Sequence, residues 1–235
     1  STFKEEIKEQ VENITSMTIR VYDNVINGPL KPIPRKSHYT FNLRDISKIF
    51  QGLCSANHSV THKIVETAWM WIHENTRIYG DWLIDDTDWQ WLKSILEKEI
   101  QNTLNIKNED LYNAERIIFG DFMQGLEIEP RIYQQVNDLK AFLQKIIEYL
   151  EEYNNLSKTK MKLVMFLDAC DHVARIARCI WNPLGNAFLL GVGGSGRQSL
   201  AWLATYLNCY KINQIEITKG YSMGNWRDDV KKTLL

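Results

Sequence analysis

Apolar residues in the first part of the chain recur at the three- and four-residue spacing of one helix face. This pattern predicts helices over 1–26, 42–53, 59–78 and 85–100. Three prolines between positions 29 and 34 predict an extended connector after the first helix. Aspartates at 85–88 are placed to cap the fourth helix. The N-terminal part is therefore predicted to be all-helical.

The same periodicity predicts helices over 138–153 and 160–181 in the middle of the chain. Residues 163–168 form an apolar run that ends in Asp168, as a strand that positions a metal ion would. This run precedes the glycine-rich segment described below, and no glutamate follows Asp168. We therefore assign the run to the helix over 160–181.

The pattern changes after residue 185. A short apolar strand is predicted over 186–191, followed by a glycine-rich loop and a helix from Arg197. A second strand over 213–218 and a final helix capped by Asn225 follow. The order strand, loop, helix, strand implies a parallel sheet, so the predicted fold class is mainly α with a partial α/β domain.

The glycine-rich segment 191–199 closely follows the phosphate-binding pattern G-x-x-x-x-G-K-[ST], between an apolar strand and a helix. Glycines let the backbone turn its N–H groups inward, and a helix N-terminus adds positive potential for a phosphate. The candidate nucleotide-binding residues are Gly191, Gly193, Gly194, Ser195, Gly196, Arg197, Gln198 and Ser199. The alternative is a glycine-rich turn without a ligand.

Two positions of the segment depart from the pattern. Arg197 stands in place of the lysine; it keeps the positive charge but is larger and forked. Gln198 stands where a serine or threonine would hold Mg²⁺. The hydroxyl of Ser199 comes one residue later, about 100° further around the helix. We therefore expect weak ATP binding and no hydrolysis by this chain.

The other polar clusters do not predict a metal site. His58, His62 and Glu66 have helical spacing, but the H-E-x-x-H order is missing. The aspartates at 85–88 lack the glycine and the distal glutamate of a calcium loop. Arg44 lies in the first turn of a predicted helix and opposes the helix dipole, which fits either an arginine that faces an anion or a surface arginine.

Composition and charge narrow the classes of function. Lys and Arg number 28 against 29 Asp and Glu, and this formal net charge of −1 argues against nucleic acid as a partner. No apolar run approaches the ~18 residues of a membrane-spanning helix, so no membrane association is predicted. The chain lacks an initial Met and stops within a predicted helix, so we expect it to be a segment of a longer protein.

Several stretches resemble the heavy chains of axonemal dyneins. Residues 37–52 (SHYTFNLRDISKIFQG) closely resemble the helical lid of their third AAA+ module. Three further stretches resemble the start of their fourth module, namely 161–180, 185–207 and 214–232. The resemblance covers nearly the whole chain, and the stretches 84–92 and 154–166 resemble the single-headed inner-arm type.

The resemblance implies a lid over 1–115 and the N-terminal portion of the fourth AAA+ module, a P-loop domain, over 116–235. Such modules form a six-module ATPase ring that drives microtubule sliding in cilia. In that family the arginine of the F-N-L-R-D segment senses nucleotide, which assigns Arg44 to the preceding module. The phosphate loop maps onto 191–199. The carboxylate strand, the second sensor and the arginine finger of the fourth module would lie beyond Leu235.

The ligand that the resemblance implies is ATP or ADP, with or without Mg²⁺. The implied partners are the other AAA+ modules of the same heavy chain, microtubules, and dynein intermediate and light chains. The implied location is the cytoplasm and cytoskeleton, at the ciliary axoneme. The parent protein would hydrolyse ATP as a microtubule motor, whereas this segment alone is expected to be inactive.

Two other interpretations are left open by the residues. One is an independent P-loop enzyme such as a kinase or a helicase, although the long stretch ahead of Gly191 counts against a kinase, whose loop follows its first strand. The other is a structural ring segment that never holds nucleotide, an alternative that the changes at Arg197 and Gln198 keep open.

Overall fold

The computed structural model describes residues 3–111, 116–157 and 159–234. The chain divides into two compact units, residues 1–145 and 146–235. Helices account for nearly all of the regular structure in both units, so the chain is mainly α, as predicted.

Helices make up the first unit as far as residue 111, and two single-turn 3₁₀ helices, Pro34–Lys36 and Gly80–Trp82, connect some of them. The α-helices are α1 (Glu5–Glu9), α2 (Val11–Asn27), α3 (Leu43–Leu53), α4 (Ile64–Tyr79), α5 (Asp86–Leu104) and α6 (Asn108–Leu111). The helices predicted over 42–53 and 85–100 are confirmed, and the one predicted over 1–26 is divided at Gln10.

The helix predicted over 59–78 begins later than expected, at Ile64. Lys63 has an extended backbone, with φ −127° and ψ 151°. The Glu66 carboxylate accepts hydrogen bonds from the backbone N–H groups of His62 at 2.5 Å and Lys63 at 3.0 Å. A glutamate at the third helical position thus satisfies donors that precede the helix and fixes where α4 starts.

The amphipathic faces of α2 to α5 pack into one apolar core. Trp71 is fully buried in it, and its indole N–H donates to the Thr18 hydroxyl at 2.8 Å, so the polar atom of this large ring is satisfied. Nine further core side chains among the described residues are 0% exposed: Met17, Val21, Val25, Ile49, Ala68, Tyr79, Leu92, Ile100 and Leu111. Burial of each Leu, Ile or Met contributes about 1.5–3 kcal/mol, so this core is the main source of the unit's stability.

The sheet of the structure is not the sheet that the sequence predicts. β1 (Phe119–Gly120) and β2 (Gln134–Gln135) form a small antiparallel pair in which Phe119 lies opposite Gln135. The strands predicted over 186–191 and 213–218 are wrong as strands, since neither segment belongs to a sheet of the described residues.

The reason lies in what a parallel strand needs. Such a strand takes its ladder hydrogen bonds from neighbouring strands and is buried on both faces. Phe188 is 87% exposed and Ile217 is 83% exposed, so neither segment has its apolar face covered. Between residues 159 and 234 no strand hydrogen-bonds to either of them.

The second unit is also helical. α7 (Leu139–Leu156) contains the division between the units, and α8 (Leu167–Trp181), α9 (Arg197–Leu207) and α10 (Met223–Leu234) follow. The cap of α10 is Ser222 rather than the predicted Asn225. The Ser222 hydroxyl accepts from the Asn225 N–H at 3.4 Å, and the Asn225 side chain accepts from the Ser222 N–H at 3.0 Å.

The helix predicted over 160–181 is wrong for its first residues, because α8 begins only at Leu167. The Asn154 side chain accepts from the Met161 N–H at 2.7 Å and donates to the Met161 carbonyl at 2.9 Å, which occupies both backbone groups of that residue. Phe166 is extended, with φ −138° and ψ 167°. Asp168 lies in the first turn of α8, as its assignment to a helix predicts.

α8 and α9 pack closely on each other within the second unit. Cys170 and Val173 of α8 and Leu203 and Leu207 of α9 are 0% exposed. Asn208 donates from its side chain to the carbonyls of Ala177 and Ala204, both at 3.0 Å. This contact fixes the C-terminal end of α9 and leaves the other end, at Arg197, beside the glycine-rich segment.

Candidate functional site

The glycine-rich segment forms an exposed turn that leads into α9. Gly194 and Gly196 have φ values of +80° and +78°, in the left-handed region that side chains other than glycine rarely adopt. A Cβ atom at either position would meet nothing within 4 Å. These glycines are therefore required by backbone conformation and not by crowding.

The N-terminus of α9 has no side-chain cap. Gly196 occupies the N-cap position, where it has no side chain to accept a hydrogen bond from the first turn that begins at Arg197. The first N–H groups of a helix have no partner within the helix, and together they carry a partial positive charge. The structure thus presents backbone donors at the place where the sequence predicts a phosphate.

Arg197 folds back along the loop. Its guanidinium donates to the carbonyls of Leu189 and Val192, both at 3.4 Å. A Cβ atom on Gly191 would lie 2.9 Å from the Ser195 hydroxyl and 3.2 Å from the Arg197 Cδ, so a larger residue there would displace these two side chains. The arginine at the lysine position therefore braces the loop from its entry to its middle.

The two positions after Arg197 present no preformed metal site. Gln198 is exposed, and Ser199, one step further around α9, is half-buried. Within the described ranges, no group of three or more His, Cys, Asp or Glu side chains is arranged to hold a metal ion. The donors that the structure brings together here are backbone N–H groups and one guanidinium.

Arg44 lies in the first unit, in the first turn of α3. The N-terminus of α3 is ordered by a reciprocal cap: the Arg44 N–H donates to the Asn42 side chain at 2.8 Å, and the Asn42 N–H donates to Asp45 at 2.9 Å. Asp45 is buried, whereas the Arg44 side chain is exposed. The backbone of Arg44 is thus held firmly, and its guanidinium extends into solvent.

The aspartates at 85–88 have a different role from the predicted cap. Asp85 does occupy the N-cap position of α5, but its side chain accepts no capping hydrogen bond. Lys36 Nζ lies 2.7 Å from an Asp85 oxygen and 2.5 Å from an Asp88 oxygen. The hydrogen bond from Lys36 lowers the pKa of the Asp85 carboxyl below its usual range.

Sequence reasoning missed this ion-pair cluster, because Lys36 comes from the proline-rich connector, nearly fifty residues before the aspartates it binds. Tyr39 completes it by donating to Asp88 at 2.9 Å and accepting from the Ile84 N–H at 3.0 Å. Burial raises the pKa of the Tyr39 hydroxyl. The prolines indicated an extended connector, but residue type alone does not tell which carboxylates Lys36 reaches.

Two other predictions concern a metal site and a membrane-spanning helix. Glu66, considered with His58 and His62 as a metal ligand, instead binds backbone N–H groups at the start of α4. None of the helices in the described part of the chain has the length and apolarity to cross a bilayer.

Comparison with known proteins adds two family matches. Residues 17–115 match the model of an AAA+ lid domain, and residues 161–235 match the model of a P-loop containing dynein motor region D4. The first match contains Arg44, and the second contains the whole glycine-rich segment.

Relatives are found among full-length proteins as well. The chain is 41% identical over 230 residues to dynein axonemal heavy chain 1 of Mus musculus, covering 97% of this chain. It is 42% identical over 225 residues to the Homo sapiens protein of the same name, covering 95% of this chain, and 37% identical over 234 residues to Homo sapiens dynein axonemal heavy chain 3, covering 94%. These matches span 5%, 5% and 6% of the relatives. The chain thus belongs to the axonemal dynein heavy chains, of which it is a segment that runs from an AAA+ lid into a P-loop motor region.

Proposed function

We propose that this chain is a regulatory, nucleotide-binding part of the AAA+ ring with which an axonemal dynein drives ATP-dependent microtubule sliding in cilia. Residues 1–115 are the lid of the third AAA+ module, and residues 116–235 open the fourth. The matched ranges 17–115 and 161–235 support this division, because each falls within one of the two stretches.

The observation that carries the proposal is the geometry of the segment 191–199. Two left-handed glycines, Gly194 and Gly196, turn the chain into the uncapped N-terminus of α9. A phosphate placed there meets backbone N–H donors and the positive end of the helix dipole. The ligand in this proposal is ATP or ADP, and the ligating residues are those of the segment from Gly191 to Ser199.

Arg44 is proposed as the nucleotide sensor of the preceding module and not as a ligand of the loop at 191–199. Support comes from its exposed guanidinium on a firmly capped first turn of α3. Arg44→Ala should therefore leave ADP binding by this chain within about twofold of the unchanged chain, whereas a change in the loop should not. A loss of ADP affinity in Arg44→Ala would contradict this role.

The proposed partners follow from the same assignment. They are the other AAA+ modules of the heavy chain and, through the parent protein, microtubules and the dynein intermediate and light chains. The proposed location is the cytoskeleton of the ciliary axoneme. The word axonemal in the names of the relatives supports this location.

Calorimetric titration with ADP tests the proposal, using Gly196→Ala and Gly220→Ala as a matched pair. A Cβ atom meets nothing within 4 Å at either position, and only Gly196 has a left-handed backbone. A left-handed alanine costs about 1–2 kcal/mol, so Gly196→Ala should weaken binding by roughly tenfold while Gly220→Ala leaves it unchanged.

The same proteins should release phosphate from ATP only at the background rate, because hydrolysis needs a placed metal, an oriented water and charge stabilisation together. Turnover by the unchanged chain that Gly196→Ala abolishes would instead identify an independent P-loop enzyme. Absence of any ADP or ATP binding would identify a structural ring segment.

A further inference from the structure

Phosphate-binding loops ordinarily share their ligand with Mg²⁺, and the residues of this loop do not fit that ion. Mg²⁺ requires near-ideal octahedral geometry at about 2.0–2.1 Å and is held by the Ser or Thr that follows the lysine. Gln198 stands there, and its exposed side chain carries its oxygen further from the backbone than a hydroxyl would be. The short, fixed ligand that the ion needs is absent from this position.

Ser199 does not replace the missing hydroxyl. It is one residue further along α9, which places it about 100° around the helix from position 198. Its side chain is half-buried, whereas Gln198 is exposed. A hydroxyl displaced in this way cannot occupy the same octahedral corner.

Arg197 supplies positive charge from within the loop. Its guanidinium reaches the carbonyls of Leu189 and Val192 at 3.4 Å, so the charge lies where residues 186–191 lead into the loop. An arginine has five N–H donors, and the two carbonyl contacts leave the remaining donors for phosphate oxygens. A lysine, with a single compact ammonium, cannot brace the loop and bind phosphate in this forked manner.

We propose that this loop binds the diphosphate group of its nucleotide as the metal-free anion, with Arg197 supplying the positive charge that Mg²⁺ supplies elsewhere. This inference rests on the proposed function, since it concerns the same loop. The inference predicts how Mg²⁺ changes the affinity for ADP, because Mg²⁺ in solution also binds ADP. A site for the metal-free anion competes with the ion, so Mg²⁺ should weaken ADP binding or leave it unchanged.

The test is ADP binding to the 235-residue chain, measured by calorimetry once with EDTA and once with millimolar Mg²⁺. Inorganic pyrophosphate is the second probe, and it reports the phosphate contacts without the base. The double variant Arg197→Lys/Gln198→Thr restores the usual metal-binding pair, so Mg²⁺ should tighten its ADP binding by roughly tenfold. Ser199→Ala tests whether the displaced hydroxyl is a metal ligand: whatever its own ADP affinity, Mg²⁺ should change that affinity by the same factor as in the unchanged chain.

The outcomes separate this inference from the proposed function. ADP binding by the unchanged chain that Mg²⁺ tightens would overturn the metal-free site and leave nucleotide binding intact. A Ser199→Ala variant whose response to Mg²⁺ differs from that of the unchanged chain would make Ser199 a metal ligand and overturn the metal-free site as well. A double variant that responds to Mg²⁺ like the unchanged chain would overturn the roles of Arg197 and Gln198. No binding of either probe under either condition would refute the proposed function itself. Circular dichroism of each variant confirms that the helices are retained.

Discussion

Glu74 is a fully buried carboxylate in the first unit. One of its oxygens accepts two hydrogen bonds from Arg77, at 2.6 and 3.0 Å, and the other accepts from the Tyr133 hydroxyl at 3.1 Å. Gly52 of α3 lies against this carboxylate, and a Cβ atom there would overlap it. The close approach of α3 to α4 therefore depends on a residue without a side chain.

Gly52→Ala should destabilise the first unit by roughly 2 kcal/mol. Alanine gains up to about 1 kcal/mol of helix propensity. Forcing atoms into a packed site costs about 1–3 kcal/mol, and disturbing the buried pair of Glu74 and Arg77 adds to that cost. Urea unfolding followed by circular dichroism measures the loss. Gly220→Ala, where a Cβ meets nothing within 4 Å, is the control and should stay within about 0.5 kcal/mol. Equal stability of the two variants would contradict the packing described here.

Lys36 gives the first unit a pH-dependent contribution through Asp85. Because Lys36 lowers the pKa of the folded Asp85 carboxyl, the unfolded chain takes up more protons in acid, and the free energy of unfolding falls with falling pH. The contribution is present above the ordinary aspartate pKa of about 3.9 and is lost below it, as the pH passes the folded pKa.

Lys36→Met should therefore be less stable than the unchanged chain at pH 7, and the difference should narrow as the pH falls below about 4. Denaturant unfolding at a series of pH values measures this difference. Lys48→Met removes an exposed lysine 3.3 Å from Asp45 and serves as the comparison. A difference between Lys36→Met and the unchanged chain that stays constant with pH would show that the ion pair does not act in this way.

At the scale of elements, helix periodicity was sufficient for most of the chain, because a helix forms its hydrogen bonds within one segment. Strands depend on partners, and the apolar runs at 186–191 and 213–218 contain no information about whether a partner lies within reach. The predicted start of α8 was wrong for a related reason, because the Asn154 side chain of α7 binds the backbone of Met161.

The glycine-rich loop was predictable because its backbone conformation demands particular residues. Gly194 and Gly196 adopt left-handed conformations that the motif anticipates. The brace from Arg197 to Leu189 and Val192 was not predictable, since residue type alone does not tell which carbonyls a long side chain reaches. The loop was thus predictable from the sequence, whereas the position of the Arg197 guanidinium became known only from the structure.

Asn208 links α8 and α9, so its removal should weaken the packing of these two helices. Asn208→Ala removes two side-chain donations and leaves the Ala177 carbonyl without this partner, which should cost about 1–3 kcal/mol in the second unit. Hydrogen exchange should show faster exchange over α8 and α9. Asn213→Ala, at an exposed position, is the control.

The Asn208→Ala variant should bind ADP almost as well as the unchanged chain, because Asn208 lies at the opposite end of α9 from the loop. A loss of binding as large as that of Gly196→Ala would contradict this separation.

At the scale of the whole molecule, the chain carries two candidate sites on two units, with Arg44 in the first and the loop at 191–199 in the second. It spans about 5% of the length of the curated relatives it matches. In the proposed function, the second unit alone binds nucleotide. The 12 glycines of the chain offer a direct test of this assignment, because they fall in both units.

The decisive measurement is a nitrogen-15 NMR spectrum of the chain labelled at glycine, recorded before and after addition of ADP. The amide signals of Gly191, Gly193, Gly194 and Gly196 should shift, because their N–H groups surround the bound phosphates. The signals of Gly28, Gly52 and Gly80, in the first unit, should stay in place. Loop signals that do not move at saturating ADP, or shifts confined to the first unit, would contradict the claim that this segment is a nucleotide-binding loop.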